Sequence, residues 1–275
     1  MKLISGFDCC AGALVLPEAP LQPGTWVRGR YEVTGRLAVT KFNDVYRAHD
    51  HRAGLPSVLK HARCHALLGD TCCSQYAVLA HEHLMLQRFA ARGLPVPQPL
   101  EQFLLAGRPC LAMRYVEGAT LEQRRAQRRL SVDTAVRSIA QAAVLAHRVH
   151  RLGYVLQDLK PDNLMLTTAG VALLDLGAVH SITDGPSGGT VVFGTEEYMS
   201  PEQCRGQAVP RNDVYALGMC LHALVDRPSP RLAAIIERAV SPLAPYIERA
   251  DLLAWKLRLL LAIDACSHLA GTCML

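Results

Sequence analysis

The hydrophobic pattern of this chain changes near Gly118, and that change constrains the fold more than any other feature. Before it, short apolar or alternating runs are bounded by Gly, Pro and Asp, which is typical of β-strands. These runs cover Tyr31–Val33, Val45–Tyr46, Ser57–Leu59 and Cys110–Met113. One helix interrupts them, because apolar residues between Tyr76 and Phe89 recur at helical spacing.

Helical patterns dominate after this point. The first begins behind Ser131, a residue well suited to accept a hydrogen bond from the first turn of a helix. The same periodicity predicts further helices at 212–225, 230–240 and 247–263.

The two patterns together predict an α+β fold with a small strand-rich lobe and a larger helical lobe, and ligands are expected in the cleft between them. Half of the chain's 275 residues are hydrophobic, which is enough for a buried core and excludes a mostly disordered chain. Several prolines and the absence of sustained periodicity mark the N-terminal segment as a leader. The predicted boundaries are 1–24 for the leader, 25–113 for the first lobe and 114–275 for the second.

Composition argues against a membrane or nucleic-acid-binding protein. No apolar run reaches the roughly 18 residues that span a bilayer, and Asp8 stands where a signal peptide carries cations, so we expect a cytoplasmic protein. The net charge of +5 is mild. The densest basic cluster, Arg124–Arg125 with Arg128–Arg129, has the spacing of a solvated helix face. It contains no interleaved aromatic residues, so no nucleic-acid partner is expected.

The ten cysteines form no recognisable metal or disulfide pattern, and no Cys-x-x-Cys occurs. Cys64, His65, Cys72 and Cys73 could be combined into a zinc site, but their spacing is irregular. Reduced cysteines that serve as small apolar residues are the better interpretation.

The segment 155–166 carries the densest set of chemically useful side chains. Asp158, Lys160 and Asn163 lie within one short loop, ahead of a short apolar strand. Further on, Asp175 ends a second apolar strand in the sequence Asp-Leu-Gly. Two carboxylates, an amide and an amine at adjacent strand ends suit phosphoryl transfer, because one Asp can orient a hydroxyl while the Asn and the other Asp hold Mg²⁺.

These motifs resemble those of the protein kinase superfamily, in the same order along the chain from about Tyr31 to Leu253. Gln157–Asn163 resembles the catalytic loop, and Asp175–Gly177 resembles the metal-binding Asp-Phe-Gly motif. The other matching segments are Ser57–Lys60, Glu82, the activation-segment end Gly194–Gln203, and Asp213–Gly218 in the helix that supports the catalytic loop. The joint order is specific, since both motif lysines come from a set of only five.

Two further stretches narrow the resemblance to one branch. Leu21–Thr25 looks like the lead-in to bacterial serine/threonine kinase domains, and Tyr198–Gln203 resembles the end of their activation segment. The resemblance implies a bilobal fold, with an antiparallel sheet and one helix in the N-lobe and with ATP and Mg²⁺ in the cleft.

The resemblance also implies roles at the reacting centre. Lys60, paired with Glu82, would bind the α- and β-phosphates. Asp158 would orient the hydroxyl of a protein substrate, Lys160 would neutralise charge on the γ-phosphate, and Thr195 would contact both. A lysine two residues after the aspartate implies serine/threonine specificity.

Asn163 and Asp175 would be the metal ligands in such a site. By the same register, the adenine ring would lie among apolar side chains and the backbone of a hinge. The gatekeeper would be Met113, the hinge would run from Arg114 to Val116, and the ring would be enclosed by Val45, Val58 and Met165. The apolar positions fit an ordinary core equally well.

The glycine-rich loop of the family is not preserved. Its three glycine positions hold Ala38, Thr40 and Asn43, whose side chains should keep the backbone further from the phosphates. Weak nucleotide binding is the expectation.

The catalytic loop and the C-terminal region also depart from the pattern. Leu156 and Gln157 replace a histidine and an arginine, and the arginine is the usual receiver of activation-segment phosphate. Only about five residues, 226–230, stand where the family usually inserts a helix that docks substrates. Arg249 is the candidate partner for Glu202.

The sequence predicts a serine/threonine protein kinase that transfers the γ-phosphate of ATP to a protein hydroxyl. The alternative is a pseudokinase that binds partners or senses nucleotide. A small-molecule phosphotransferase on the same fold is a third reading. Retention of the reacting-centre residues favours the enzyme, whereas the glycine-free loop and the missing docking helix favour the pseudokinase.

Overall fold

The computed structural model describes residues 19–40, 42–63, 72–183, 194–241 and 247–272. In the first helix side chains are described from residue 76 onward, and in the last helix they are described up to residue 263. The described residues form two compact units. The first takes those within Met1–Arg92 together with Pro97–Tyr115, and the second takes Gly93–Val96 together with those within Val116–Leu275.

The first unit is built on an antiparallel six-stranded sheet in the order β1-β2-β3-β4-β6-β5. Its elements are β1 (Trp26–Val27), β2 (Tyr31–Val39), β3 (Asn43–Asp50), β4 (Leu55–Ala62), α1 (Cys72–Ala90), β5 (Pro99–Leu105) and β6 (Arg108–Arg114). All four predicted strand runs lie inside these strands. The sequence pattern missed β1, which is only two residues long, and β5, whose Glu101 and Gln102 break the alternation.

One buried cluster of this unit lies on a single face of the sheet. Side chains alternate between the two faces of a strand, and the buried members of alternate positions meet there. The cluster comprises Val27, Tyr31, Val33, Tyr46, Ala48, Leu59, Phe103, Cys110 and Ala112. Burial of these side chains fixes the register of the strands, because a slip by one residue would turn them to the other face.

The second unit is mainly helical, as the sequence predicts. Its helices are α2 (Leu121–Ala126), α3 (Val132–Arg151), α4 (Pro201–Cys204), α5 (Pro210–Leu224), α6 (Pro230–Val240) and α7 (Ala250–Thr272). Short strands accompany them: β7 (Ala119–Thr120), β8 (Tyr154–Val155), β9 (Leu164–Thr167), β10 (Gly170–Leu173) and β11 (His180–Ser181). β7, β9 and β10 form one antiparallel sheet, and β8 pairs with β11.

Local signals set the helix boundaries. Ser131 caps α3 as predicted, with its hydroxyl accepting a hydrogen bond from the Thr134 backbone N–H. Ser229 caps α6 in the same way, and Pro230 occupies the first helical turn, where a missing N–H costs nothing. α6 therefore has the predicted bounds, while α7 runs to Thr272, beyond the predicted end at residue 263.

The expectation that four arginines share one helix face is wrong for two of them. α2 ends at Ala126, and Arg128 has a φ of +52°, so Arg128 and Arg129 lie outside the helix. Within the helix, Arg125 forms a bidentate ion pair with Glu122. Among the described residues, no helix is long and apolar enough to cross a bilayer.

Candidate functional site

The sheet register places four predicted site residues of the first unit on one face. Val45 is directly opposite Lys60 on the neighbouring strand, and Val58 is directly opposite Met113. Because directly opposed residues point to the same side and alternate residues along a strand share a face, all four lie opposite the core cluster. Apolar side chains beside a lysine are suited to a planar ring next to an anionic group, and the exposed Arg47 lies on the same face, directly opposite Val58.

Lys60 forms a buried ion pair with Glu82. Its Nζ lies 2.7 Å from one carboxylate oxygen and 2.9 Å from the other. Glu82 is on α1 between the fully buried Leu79 and Leu86, so the apolar stripe of the helix carries the carboxylate towards the sheet. A buried charge pair of this kind is costly to break, because removing one partner leaves the other charge uncompensated.

The turn between β2 and β3 is closed by Thr40. Its hydroxyl accepts a hydrogen bond from the Asn43 backbone N–H at 2.9 Å and donates one to the Asn43 carbonyl at 3.0 Å. The Arg63 guanidinium donates to the Thr40 carbonyl at 3.1 Å. The side chain that replaces a glycine of the family is therefore a structural part of this turn.

Arg114 ends β6, and its backbone N–H donates to the Gln98 carbonyl at 2.8 Å. The next residue, Tyr115, donates its backbone N–H to the Pro56 carbonyl. The division between the two units falls after Tyr115, so Val116 belongs to the second unit.

In the second unit, four predicted site residues form one hydrogen-bonded group around Asp158. One carboxylate oxygen accepts from the Thr195 hydroxyl at 2.8 Å, and the other accepts from the Asn163 amide at 3.0 Å. Lys160 donates to the Thr195 hydroxyl at 2.7 Å and lies 3.2 Å from the Asp158 carboxylate. Hydrogen bonds on both oxygens fix the orientation of this carboxylate.

Asn163 and Asp175 offer the donor set that Mg²⁺ prefers. The Asn163 amide nitrogen donates to the Asp158 backbone carbonyl and to its carboxylate, which leaves the amide oxygen for a cation. The Asn163 carbonyl accepts the Leu174 backbone N–H, next to Asp175. One Asp175 oxygen accepts from the Gly177 backbone N–H. An amide oxygen and a carboxylate are hard oxygen ligands, so these residues fit Mg²⁺.

A buried aspartate of α5 holds the start of the catalytic loop. Asp213 is fully buried and accepts the backbone N–H groups of Leu156 and Gln157, both at 2.9 Å. The helix beginning near Asp213 therefore supports the loop, as the sequence predicts. Sequence reasoning missed His150, whose Nε2 lies 2.7 Å from the same carboxylate; the only available signal was a histidine within the apolar repeat of α3.

Burial shapes the remaining polar groups of this region. Partial desolvation raises the pKa of the Asp162 carboxyl even though this residue is exposed, with a further contribution from the charge of Glu122. Burial also raises the pKa of the Cys220 thiol, which lies beneath the loop with its sulfur 3.8 Å from the Leu159 carbonyl. Cys220 is thus an inert core residue rather than a nucleophile.

Met165 lies on β9 and is almost fully buried. Gly118 comes so close to this strand that a Cβ would meet the Leu166 carbonyl oxygen and the Met165 side chain. Its φ of +150° and this close approach both require glycine at the position.

The expected pairing of Arg249 with Glu202 is wrong. Arg249 instead forms a bidentate ion pair with Asp251, two residues along the chain, because that carboxylate is within local reach. In this region the Arg211 guanidinium links α5 to the residue that follows α6 and to the segment before α7. It donates hydrogen bonds to the carbonyls of Ser241 and Ile247.

Comparisons with known proteins agree with this arrangement. A family model described as "Protein kinase domain" matches residues 31–239, so the chain belongs to the protein kinase family. Members of this family generally use ATP with Mg²⁺. The fold prediction is confirmed by the solved kinase domain of PknI from Mycobacterium tuberculosis, which matches with a TM-score of 0.66 at 21% identity over 87% of this chain and 98% of that one.

The curated relatives confirm the bacterial serine/threonine kinase branch. Serine/threonine-protein kinase PknG of Mycobacterium leprae is 30% identical over 214 residues, covering 76% of this chain and 27% of that protein. Serine/threonine-protein kinase PknL of Mycobacterium tuberculosis is 32% identical over 214 residues, covering 73% of this chain and 50% of that protein. The chain thus spans a half or less of the length of these relatives.

Some predictions fall outside the described residues. Cys64 and His65 of the zinc alternative are among them. Ser187 and Thr190, two hydroxyl residues between the Asp-Leu-Gly motif and Gly194 that we expect could accept phosphate, also lie outside the described residues. Within the described part of the chain, no cluster of three His, Cys, Asp or Glu residues is arranged to hold a metal.

Proposed function

We propose that this chain is an ATP-dependent serine/threonine protein kinase. The observation that carries the proposal is the hydrogen-bonded group of Asp158, Lys160, Asn163 and Thr195, which presents an oriented carboxylate beside an ammonium group. A positioned carboxylate can orient a hydroxyl, and an adjacent cation can offset phosphate charge.

Each residue has a role in this reaction. Asp158 accepts the proton of the substrate hydroxyl. The hydroxyl oxygen of the substrate forms a bond to the γ-phosphorus, and the bond between that phosphorus and the ADP oxygen breaks. Lys160 stabilises the charge on the transferred group, and Thr195 holds both side chains in place. The Lys60–Glu82 ion pair supplies the cation for the α- and β-phosphates. Mg²⁺, held by Asn163 and Asp175, would neutralise phosphate charge.

The remaining predicted residues would bind the nucleotide base. Val45, Val58 and Met113 share the sheet face of Lys60, which supports a position for adenine there. Met165 and the backbone from Arg114 to Val116 complete the proposed adenine contacts. Cytoplasmic localisation and the absence of a nucleic-acid partner remain predictions.

The second candidate is a pseudokinase, and one observation favours it. Thr40 closes the β2–β3 turn with hydrogen bonds of its own, where the family uses flexible glycines to approach phosphate. Such a protein would bind a partner, with or without nucleotide, and would not turn ATP over.

Incubation of the full chain with radiolabelled Mg-ATP and a generic protein substrate such as myelin basic protein tests the proposal. We expect phosphoserine and phosphothreonine in the product, and a rate at least a hundredfold lower for Asp158→Asn. Equal incorporation by the variant would show that the activity comes from a contaminant. Binding of Mg-ATP without turnover by the wild type would identify a pseudokinase.

A further inference from the structure

The backbone of Gln157, directly before Asp158, has a strained conformation. Its φ is +65°, in the left-handed region that is unfavourable for a residue other than glycine. Strain of this kind is unfavourable and persists only where the surroundings hold it in place. The contacts that hold Gln157 therefore also determine the backbone position of Asp158.

Both backbone polar groups of Gln157 are bonded by buried side chains. The N–H donates to the Asp213 carboxylate at 2.9 Å, and the carbonyl accepts from the Gln203 amide nitrogen at 2.7 Å. Gln203 is only 1% exposed. The Gln157 backbone is thus bonded to α5 through its N–H and to α4 through its carbonyl.

The backbone position of Gln203 is fixed independently of this bond. The Ser200 hydroxyl accepts the Gln203 backbone N–H at 3.1 Å and donates to the Asn212 side-chain oxygen at 2.8 Å. Ser200 and Asn212 are both fully buried. These contacts attach α4 to the first turn of α5. The side-chain amide of Gln203 therefore extends to the catalytic loop from a backbone that is held in place.

Gly194 passes directly over the bond between Gln203 and Gln157. A Cβ at this position would lie 2.6 Å from the Gln203 amide nitrogen and 3.0 Å from the Gln157 carbonyl oxygen, and φ is +135°. Only glycine fits here. The next residue, Thr195, is the one that bonds Asp158 and Lys160.

From these contacts we infer that Gln203 is a positioning residue for the proposed kinase reaction. It joins the end of the activation segment to the catalytic loop and holds Asp158 in its oriented state. The bond is neutral and buried, so it needs no phosphate to form. The inference rests on the proposed function, because its effect on rate requires turnover.

Gln203→Met tests the inference, because methionine has a similar length and shape but no N–H donor. We expect kcat to fall about tenfold, which corresponds to about 1.4 kcal/mol, with KM for ATP unchanged. Gln203→Glu should lower kcat further, because a carboxylate would face the Gln157 carbonyl. Gln207→Met is the matched control, since this exposed glutamine lies four residues further along and its side chain makes no described contact.

A double-mutant cycle separates positioning from general structural damage. If Gln203 acts through Asp158, Gln203→Met should change the residual rate of Asp158→Asn less than twofold. An unchanged kcat in Gln203→Met, or a full tenfold loss in the Asp158→Asn background, would overturn the inference.

Hydrogen exchange provides a readout that does not need activity. Amides at 155–163 should exchange faster in Gln203→Met than in Gln207→Met, and equal exchange would contradict the inference. An inactive wild type with this difference in exchange would refute the proposed kinase activity while leaving the Gln203 contact established.

Discussion

At the scale of single residues, the positions that depart from the family pattern are integrated into the fold. Leu156 replaces a histidine and is buried, with its backbone N–H bonded to Asp213. Gln157 replaces an arginine and keeps its strained backbone through bonds to neighbouring side chains. The residues proposed for the reacting centre, in contrast, keep the residue types that phosphoryl transfer requires. The departures therefore affect residues that support the catalytic loop or would receive a regulatory phosphate, and they leave the residues proposed for phosphoryl transfer unchanged.

Asp175→Asn should abolish phosphoryl transfer. The proposed metal would lose its charged ligand, and removing a charge at a cation held by few protein groups should cost on the order of 10³-fold in kcat. A steady-state assay at saturating ATP measures this loss. Retention of more than about a tenth of the wild-type kcat would show that Asp175 does not hold the metal.

Thr40→Gly should tighten Mg-ATP binding roughly three- to thirtyfold. Glycine lets backbone donors approach the phosphates, and this gain should exceed both the entropy of glycine and the loss of the exposed hydroxyl contacts to Asn43. Calorimetric titration gives both affinities.

Thr40→Ser is the matched control for this experiment, because it keeps the hydroxyl that closes the turn and removes only the methyl group. Its affinity should stay close to that of the wild type. Equal or weaker binding by Thr40→Gly would mean that the closed turn is itself the nucleotide-binding form.

At the scale of elements, α5 organises the second unit. Its first turn bonds the catalytic loop through Asp213 and fixes α4 through Asn212. Further along, Gly218 lets α6 approach closely, because a Cβ there would lie 2.8 Å from side-chain atoms of Ala239 and Val240. One helix therefore combines a packing surface with the polar contacts of the loop.

Asp213→Ala should lower the free energy of unfolding by about 3 kcal/mol or more, because two buried backbone N–H groups and His150 lose their acceptor. Urea denaturation measures the change. Asp226→Ala is the control, since this aspartate is exposed, and it should stay within about 0.5 kcal/mol of the wild type. Similar losses in the two variants would show that the Asp213 contacts are not the cause.

At the scale of the whole molecule, we expect control by phosphorylation to differ from the family pattern. The usual receiving arginine is absent at Gln157, and the described contact between α4 and the catalytic loop is a neutral hydrogen bond. Activity should then depend little on the phosphorylation state of the chain.

Phosphatase treatment of the purified protein should therefore change its activity less than about fivefold, or about 1 kcal/mol. Mass spectrometry before and after treatment reports whether phosphate was present and was removed. A larger loss would show that another cation of the chain receives the phosphate.

The sequence by itself determined the family and the change from a strand-rich to a helical part of the chain, and it named the residues of the candidate site. Motifs such as Asp158 to Asn163 are contiguous, and their spacing reports local structure directly. Periodicity likewise predicted α6 and the core strands, because it reflects which side of an element is buried. It missed β5, where polar residues interrupt the alternation.

Only the tertiary structure revealed the distant contacts that the family resemblance does not imply. The bond from Gln203 to Gln157 joins residues 46 positions apart, and His150 meets Asp213 across 63 positions. The partner of Arg249 was predicted wrongly for the same reason. Local spacing encodes burial and backbone hydrogen bonding, whereas contacts between distant residues depend on how whole elements pack, and no short stretch of sequence contains that information.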